Sequence, residues 1–433
     1  MRAKIDANSV GQASTLFMRT LEEIRRRSRQ LRRLWAEGGR QRTLASVKRA
    51  IVNRLGPPMT PPLEVRPADA LAADLTVPRV WTPLPLDSDR RLVVNWVTTP
   101  PAEGSGGHTT MFRLIKHLEQ EGHLCRIYLY DVHGGDAIYY DSRIREYFPW
   151  FTGEVNDIGD GMADAHAVVA TSWPTAYPVY NDPCRGTRFY LVQDFEPWFY
   201  PVGGRSVLAE NTYRMGFHGI TAGRYLAAKL RAEYGMRADG FPFGCDTEQY
   251  RLLKSSGVRD GIVFYAKPHA PRRAFELGLM ALHLFAEHHP DLKIHFYGDR
   301  IGRLPFLSFP FIDHGVIEPQ KLNCIYNGCF AGLSLSMTNV SLVPHEMLAA
   351  GCIPVVNEAE QNRVVLENPF VRYALPTPQA LAGALAEVVA TKNFATLANS
   401  ASASVSSASW EAAGRAVEQC ILEALVDRVA SPP

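Results

Sequence analysis

The stretch from Arg90 to Asp131, RRLVVNWVTTPPAEGSGGHTTMFRLIKHLEQEGHLCRIYLYD, leaves little freedom in what it can fold into. Leu92 to Val97 is an apolar run of strand length. A glycine-rich loop follows, Gly104-Ser105-Gly106-Gly107. Met111, Leu114, Ile115 and Leu118 then recur at helical spacing, and Gly122 stops the helix before a second strand, Leu124 to Tyr130. Such a succession is a βαβ unit, whose two strands are parallel and covered on both faces. Glycines between strand and helix let a ligand approach the backbone, and the helix start favours an anion. The loop does not spell GxGxxG, so a plain tight turn stays open, as does a dinucleotide site with Asp131 as its ribose acid. His108, beside the glycines, is a candidate cleft residue.

The pattern then repeats. Strands are expected at His166 to Thr171, Thr187 to Val192 and His218 to Thr221. The turn-rich FPFGCDTEQY, 241 to 250, leads into a second α/β set. There Gly261 to Ala266 is a strand, Arg272 to His289 a helix, and Leu292 to Tyr297 the next strand. Cys329 to Ser334 and Ile353 to Val356 follow. Two Rossmann-like halves enclose a cleft between their sheet edges, where such folds bind ligands.

With 433 residues, 46% of them hydrophobic, the chain can build two cores of ordinary size. Seven cysteines, odd in number and without a CxxC pair, read as buried thiols in a reducing compartment, not as a disulfide framework or zinc site. No signal peptide and no apolar run of about 18 residues is evident, so a cytoplasmic protein is expected. The net charge of +2 hides an asymmetry. Between Arg19 and Arg54 stand twelve Lys/Arg against three acids, a local +9. Leu21, Ile24, Leu31 and Leu34 make this arm amphipathic. It fits an anionic membrane surface, a partner or second copy of the chain, or a plain solvated arm. Nucleic acid is not expected, because no aromatic interleaving or recognition motif accompanies the charge. Residues 57 to 87 hold eight prolines and form an extended linker or strap.

Four pieces of the second half resemble, in order and spacing, nucleotide-sugar glycosyltransferases of the GT-B fold, particularly family 4. FPFGCDTEQY is similar to the interdomain IPNGVDTxxF element. FYAKPHAPRRAFELG resembles the segment that carries a basic pair, which falls here on Lys267 and Arg272. DHGVIEPQKLNCIYNGCFAGLSLS resembles the stretch ahead of the donor site, and LVPHEMLAAGCIPVV the donor helix and strand, with Glu346 on the ribose-binding glutamate. SWEAAGRAVEQCILEAL resembles the closing helix that crosses back to the first domain. YLVQDFEPWFYP and GGRSVLAENTYRMGFHGITAG are similar to rhamnosyltransferases of the WsaF type. The resemblance covers about 90 to 428. It implies an α/β GT-B chain with an acceptor domain over 90–248, a donor domain over 249–407 and a closing helix over 408–433, preceded by the basic helical arm over 1–56 and the Pro-rich linker over 57–89 read from composition.

The chemistry accounts for these residue types. Negative charge develops on a nucleoside diphosphate as the glycosidic bond breaks. A metal on a DxD motif is one answer, but the clear DxD here, Asp87-Ser88-Asp89, lies in the linker and is discounted. Lys267, Arg272 and the backbone amides of Val340, Ser341 and Leu342 can meet the charge instead, so no metal or other cofactor is expected. With Pro344 as the first helical residue, Glu346 is third, and Val343 denies it a capping-box partner. Glu346 is then free to accept the vicinal hydroxyls of a ribose, although a carboxylate that merely complements the helix dipole fits equally.

The family's second glutamate, eight positions earlier, is here Thr338, followed by Asn339, and both are expected among the donor-binding residues. A family histidine is also missing from ATSWPTAYPVY. No catalytic acid or base is therefore assigned; Asp194 and Glu196 are the candidates. With Trp198 they are also expected to bind the acceptor, since carboxylates bond sugar hydroxyls and aromatic faces cover sugar rings. A core aromatic cluster with capping acids is the plainer alternative.

The expectation is a metal-independent, retaining transferase that moves L-rhamnose from dTDP-rhamnose to a bacterial surface glycan, free or lipid-linked, with the arm at the inner face of the plasma membrane. A non-catalytic glycan- or nucleotide-binding subunit and a nucleotide-sugar epimerase are the alternatives, and a dinucleotide-dependent dehydrogenase is disfavoured.

Overall fold

A computed structural model describes residues 63–86, 90–101, 104–133, 137–254, 258–304 and 308–430. The basic arm, the start of the Pro-rich segment and Asp87-Ser88-Asp89 lie outside the described residues.

Thirteen strands among the described residues form two sheets. The first holds β1 (Val93–Thr98), β2 (Leu124–Leu129), β3 (Glu154–Asp157), β4 (Ala167–Ala170), β5 (Thr187–Val192), β6 (His218–Ala222) and β7 (Ala238–Phe241). The second holds β8 (Gly261–Ala266), β9 (Lys293–Gly298), β10 (Ile312–Asp313), β11 (Cys329–Leu333), β12 (Ile353–Asn357) and β13 (Arg372–Ala374). Their orders are β3-β2-β1-β4-β5-β6-β7 and β10-β9-β8-β11-β12-β13, every neighbouring pair parallel. Both are doubly wound. The strand order reverses between β1 and β4 and again between β8 and β11, and the crevice at such a switch point is where these sheets bind ligands.

The central strands are apolar at nearly every position because helices cover both faces. Five of the six residues of β1 are buried, and β5 is buried throughout. On one face of the first sheet, helix Gly106–Gln120 packs Met111, Phe112, Leu114, Ile115 and Leu118, each at most 1% exposed. Each such side chain contributes about 1.5–3 kcal/mol. The other face is closed by Trp173–Asn181, Arg224–Tyr234 and the segment from Glu64 onward, whose Val65 and Trp81 are buried. The second sheet has its own core, with Leu279, Leu282 and Phe285 of helix Phe275–His288 at its centre.

Helix Trp410–Ala430 leaves the second half and packs along Gly106–Gln120. Two histidines share one of its carboxylates: His117 Nε2 is 3.2 Å from Glu418 Oε2, and His123 Nε2 is 3.0 Å from Glu418 Oε1. The seven cysteines are all free thiols, six buried and Cys324 exposed. No helix among the described residues is long and apolar enough to cross a membrane.

Two expected elements begin elsewhere. Arg272 does not open the helix after β8. It sits in a 3-10 turn, Pro271–Arg273, that ends at Ala274 with φ 46°, and the helix starts at Phe275. The later helix begins at Val343, not at Pro344, so Glu346 is its fourth residue. Proline fits the second helical position as well as the first, because its missing N–H has no intrahelical partner at either.

Candidate active site

The C-terminal edges of the two sheets face each other across a cavity of about 680 Å³. Most of the expected site residues line it: Gly104, Gly106, Gly107, His108, Asp194, Glu196, Lys267, Arg272, Val340, Ser341, Leu342 and Glu346. Thr338, Asn339 and Trp198 do not.

On the first sheet's side, the loop after β1 leaves open space where a side chain would stand at Gly104, which has φ +69°, and at Gly106. Gly107 faces the Gln193 amide, whose Nε2 donates to the Gly107 carbonyl at 3.0 Å. His108 braces this loop. Its Nε2 lies 3.2 Å from the Thr99 carbonyl and its Nδ1 2.8 Å from the Ser105 hydroxyl. A carbonyl only accepts, so Nε2 carries the proton and Nδ1 accepts from Ser105. Burial lowers its pKa, which keeps the ring neutral.

On the second sheet's side, three cations converge. Lys267 Nζ donates to Asp299 Oδ1 at 2.8 Å. The Arg272 guanidinium lies over the Phe199 ring at 4.3 Å, with Nε 3.7 Å from Asp194 Oδ2. Arg273, which sequence reasoning missed, donates to Ser336 Oγ at 2.8 Å. Burial pulls its pKa down and Asp194 opposes that shift. Helix Val343–Ala349 adds Glu346 to the same cavity wall. The Tyr326 hydroxyl hydrogen-bonds Glu346 and is itself 2.6 Å from the Tyr297 hydroxyl. Burial pushes the Glu346 carboxyl up to about 7, against the pull of Arg113 and Tyr326. Arg113 is held by Asp246 at 2.7 Å and lies 5.3 Å from the Trp410 ring.

The loop between them is polar and unsatisfied. Among the described residues nothing accepts a hydrogen bond from the backbone N–H of Val340, Ser341 or Leu342, and the buried Ser341 hydroxyl has no partner. Buried polar groups without partners are unusual in native proteins and ask for a ligand or water.

Thr338 and Asn339 stand behind this loop, at most 2% exposed. Thr338 Oγ1 donates to Asp194 Oδ2 at 2.9 Å, and the Asn339 backbone N–H to Asp194 Oδ1 at 2.8 Å. The Asn339 amide donates to the carbonyls of Gln193 and Ala222 at 2.9 and 3.0 Å. Asp194, expected among the acceptor residues, is thus also a strut between the two sheets. Burial raises its pKa, while Arg273, the Asn339 amide and Arg272 work to keep it charged. Glu196 is buried and holds the start of helix Trp173–Asn181: Oε2 accepts from Trp173 N at 2.7 Å and Oε1 from the Tyr190 hydroxyl at 3.0 Å. Burial pushes its carboxyl up to about 8. Trp198 lies outside the cavity, 44% exposed, edge-on to Phe195, with Lys229 Nζ 5.0 Å from its ring.

Trp410, Phe243 and Tyr297 also line the cavity and were not read as site residues. Trp410 comes from the closing helix, and its sequence signal was a lone large aromatic at a helix start.

Every cavity carboxylate described above is engaged by at least one donor. A bound anion would meet Lys267, Arg272, Arg273 and the free amides; a ligand hydroxyl would meet Glu346.

Residues 260–386 match the family described as WsaF, C-terminal domain. A 254-residue stretch, 56% of this chain, is 33% identical to the O-antigen biosynthesis protein RfbC of Myxococcus xanthus. The chain spans a fifth of that relative's length, 20%. Anabaena HepE, solved in complex with UDP-glucose, superposes with a TM-score of 0.58 at 13% identity, over 78% of this chain and 100% of HepE. WaaG, described as a glycosyltransferase involved in lipopolysaccharide biosynthesis, gives 0.53 at 12% identity, over 76% of this chain and 99% of WaaG. A glycosyltransferase from Rickettsia africae gives 0.57 at 13% identity, over 78% and 99%. Two doubly wound parallel sheets, a cavity between their C-terminal edges and a closing helix that returns to the first half make this the GT-B fold, and within it residues 260–386 match the WsaF C-terminal domain.

Proposed function

We propose that the protein is a glycosyltransferase that moves a sugar from a nucleoside diphosphate donor onto a growing bacterial surface glycan, free or lipid-linked, with dTDP-L-rhamnose as the donor. The observation that carries this reading is the anion-seeking wall of the cavity. Lys267, Arg272 and Arg273 line it together with three residues whose backbone amides are unpaired among the described residues, and the Glu346 carboxylate lines it too. A diphosphate fits the first set and a ribose diol the second.

In this mechanism the leaving diphosphate gains charge as the glycosidic bond breaks. The fixed cations and amides stabilise that charge more in the transition state than in the ground state. They supply what a divalent metal would otherwise supply, so transfer does not require one. Glu346 orients the nucleoside by accepting from both ribose hydroxyls. The acceptor lies against the first sheet, near Asp194 and Glu196. Retention of configuration follows the resemblance to family 4, with a phosphate oxygen receiving the acceptor's proton. The assignment to rhamnose is supported by the WsaF match. The RfbC likeness supports a surface glycan as the product.

The test is a thermal-shift panel with dTDP, UDP, GDP, dTDP-rhamnose, UDP-glucose and NAD, each with and without EDTA. A ligand at a hundredfold excess over its Kd stabilises the folded state by about 2.7 kcal/mol. The expected result is a shift with dTDP and dTDP-rhamnose that EDTA leaves unchanged and Lys267→Ala weakens. A shift with UDP or GDP alone would move the donor. No shift with any nucleotide would overturn the reading.

A further inference from the structure

The closing helix carries a second polar cluster, away from the cavity. Cys420 on that helix meets His218, the first residue of β6, and Asp239, the second residue of β7. His218 Nε2 is 2.7 Å from Asp239 Oδ2, Cys420 Sγ is 3.7 Å from the same Nε2, and Cys420 Sγ is 3.9 Å from the same Oδ2. Among the described residues no other group of three His, Cys, Asp or Glu side chains gathers its donor atoms this closely.

We propose that His218, Asp239 and Cys420 bind one thiophilic divalent cation of the Zn²⁺ class, which fastens the closing helix to the first sheet. Zn–N and Zn–O bonds of about 2.0–2.2 Å and Zn–S of about 2.3 Å give tetrahedral edges of roughly 3.3–3.6 Å. The three observed separations bracket those edges. The two sulfur edges need to close slightly, and the His218–Asp239 edge to open once the cation replaces the hydrogen bond between them. One imidazole, one carboxylate and one thiolate leave a dication electrically neutral.

The carboxylate is already oriented for this. Arg231 Nη2 holds the other oxygen, Asp239 Oδ1, at 3.0 Å and is itself tied to the Ala238 carbonyl through Nε at 2.7 Å. That leaves Oδ2 as a single directed ligand, the support that metal sites take from their surroundings. The three ligands come from three elements, so the site would cross-link tertiary structure. Asp239 is about half exposed, with a side chain at 55%, so solvent can supply the fourth position. Cys420 is buried, and a thiolate ligand favours a cation with high affinity for sulfur.

The same trio does not make a nucleophile. A relay uses the two imidazole nitrogens separately, one for the nucleophile and one for the carboxylate. Here sulfur and carboxylate both address Nε2. Catalysis in the cavity is also too far away: Ala222, at the other end of β6, lines it, and four strand steps separate Ala222 from His218 by about 13 Å. The role is structural. Because the helix that begins at Trp410 lines the cavity, a cation at Cys420 holds in place an element that borders the site.

The test uses the full, tag-free chain. Co²⁺ is titrated as a spectroscopic probe and Zn²⁺ by thermal shift, with Mg²⁺ as the hard-cation control. The expected result is one equivalent of Co²⁺ with a thiolate-to-metal charge-transfer band, a raised Tm with Zn²⁺ and none with Mg²⁺. The band is lost in Cys420→Ala and the Tm rise in both Cys420→Ala and Asp239→Asn, while Arg231→Gln weakens binding by about tenfold. Absence of the band in the wild-type chain overturns the proposal, whatever the variants do. So does a band that survives in Cys420→Ala, since it would report another thiol such as the exposed Cys324.

Discussion

Glu346, the proposed ribose ligand, carries a cost in stability. Its carboxyl is buried beside Tyr326 and raised from an ordinary 4.5 to about 7. Between those two values the folded chain binds a proton that the unfolded chain has released. Stability from this group is therefore fully present below pH 4.5 and is lost as pH rises through 7, by about 3 kcal/mol in all. Glu346→Gln keeps the shape and removes the titration. Urea unfolding should give similar stabilities for the two proteins near pH 5, and a variant more stable by about 2–3 kcal/mol at pH 8. Nucleotide affinity should fall by about ten- to a hundredfold, the worth of a charged acceptor on a diol. Equal pH dependence of the two proteins would mean that Glu346 is solvated, and unchanged affinity that it does not touch the ribose. The place of Glu346 and Lys267 on the cavity wall was legible from sequence because each sits at a fixed offset within one short motif. The pairing of Asp194 with Thr338 was not, because 144 residues separate them and no local pattern joins them. Glu196 and Trp198 were read together as a carboxylate and an aromatic face for a sugar. A 3-10 turn over Glu196–Phe199 buries the first and leaves the second exposed outside the cavity.

At the scale of elements, the turn after β8 decides where the cavity's cations stand. Pro271–Arg273 winds as 3-10, and Ala274 reverses it with φ 46° before the helix begins. A side chain in the left-handed region costs about 1–2 kcal/mol. Ala274→Gly removes that strain but loosens the unfolded chain by about 0.5–1 kcal/mol, so the net change in stability should stay within about 1 kcal/mol. Ala274→Val keeps the positive φ and adds branching, and should lose at least about 1 kcal/mol along with nucleotide affinity as Arg272 and Arg273 shift. Urea unfolding and nucleotide titration check both. A valine variant that binds like the wild type would separate this backbone geometry from the cation cluster. The same turn explains a misread element, since arginine and alanine are good helix formers and nothing in PRRAF marks a reversal. Strands divide in the same way. β1, β5, β8 and β12 are runs of buried apolar residues and were legible. The edge strands β3, β10 and β13 read EVND, ID and RYA, and β7 reads ADGF; they are short and half-exposed, so their pairing is set by the neighbouring strand.

At the scale of the molecule, two sheets with separate cores form a cavity only while something holds their edges together. Asp194 is central to that. Its carboxylate, from the end of β5, accepts from Thr338 and Asn339 after β11 and stands beside Arg272 and Arg273. Asn339 completes the joint through the carbonyls of Gln193 and Ala222. Removing the carboxylate leaves a partly exposed guanidinium, the Thr338 hydroxyl and the buried Asn339 amide without their acceptor, and a buried donor left unpaired costs about 1–3 kcal/mol. Asp194→Ala should lose about 2–3 kcal/mol, and Asp194→Asn, which keeps one acceptor, about 1–2 kcal/mol. The two effects separate by hydrogen exchange. In the alanine variant the amides of 336–341 should exchange faster, while those of β1 and β8, inside their own cores, keep wild-type protection relative to global stability. On the proposed reading, nucleotide binding rests on the second sheet and should persist in Asp194→Asn, while transfer needs both sheets aligned and should slow. Should Asp194→Ala match the wild type in both stability and exchange, the joint between the sheets does not persist in solution. The cavity walls would then meet only when donor and acceptor bring them together.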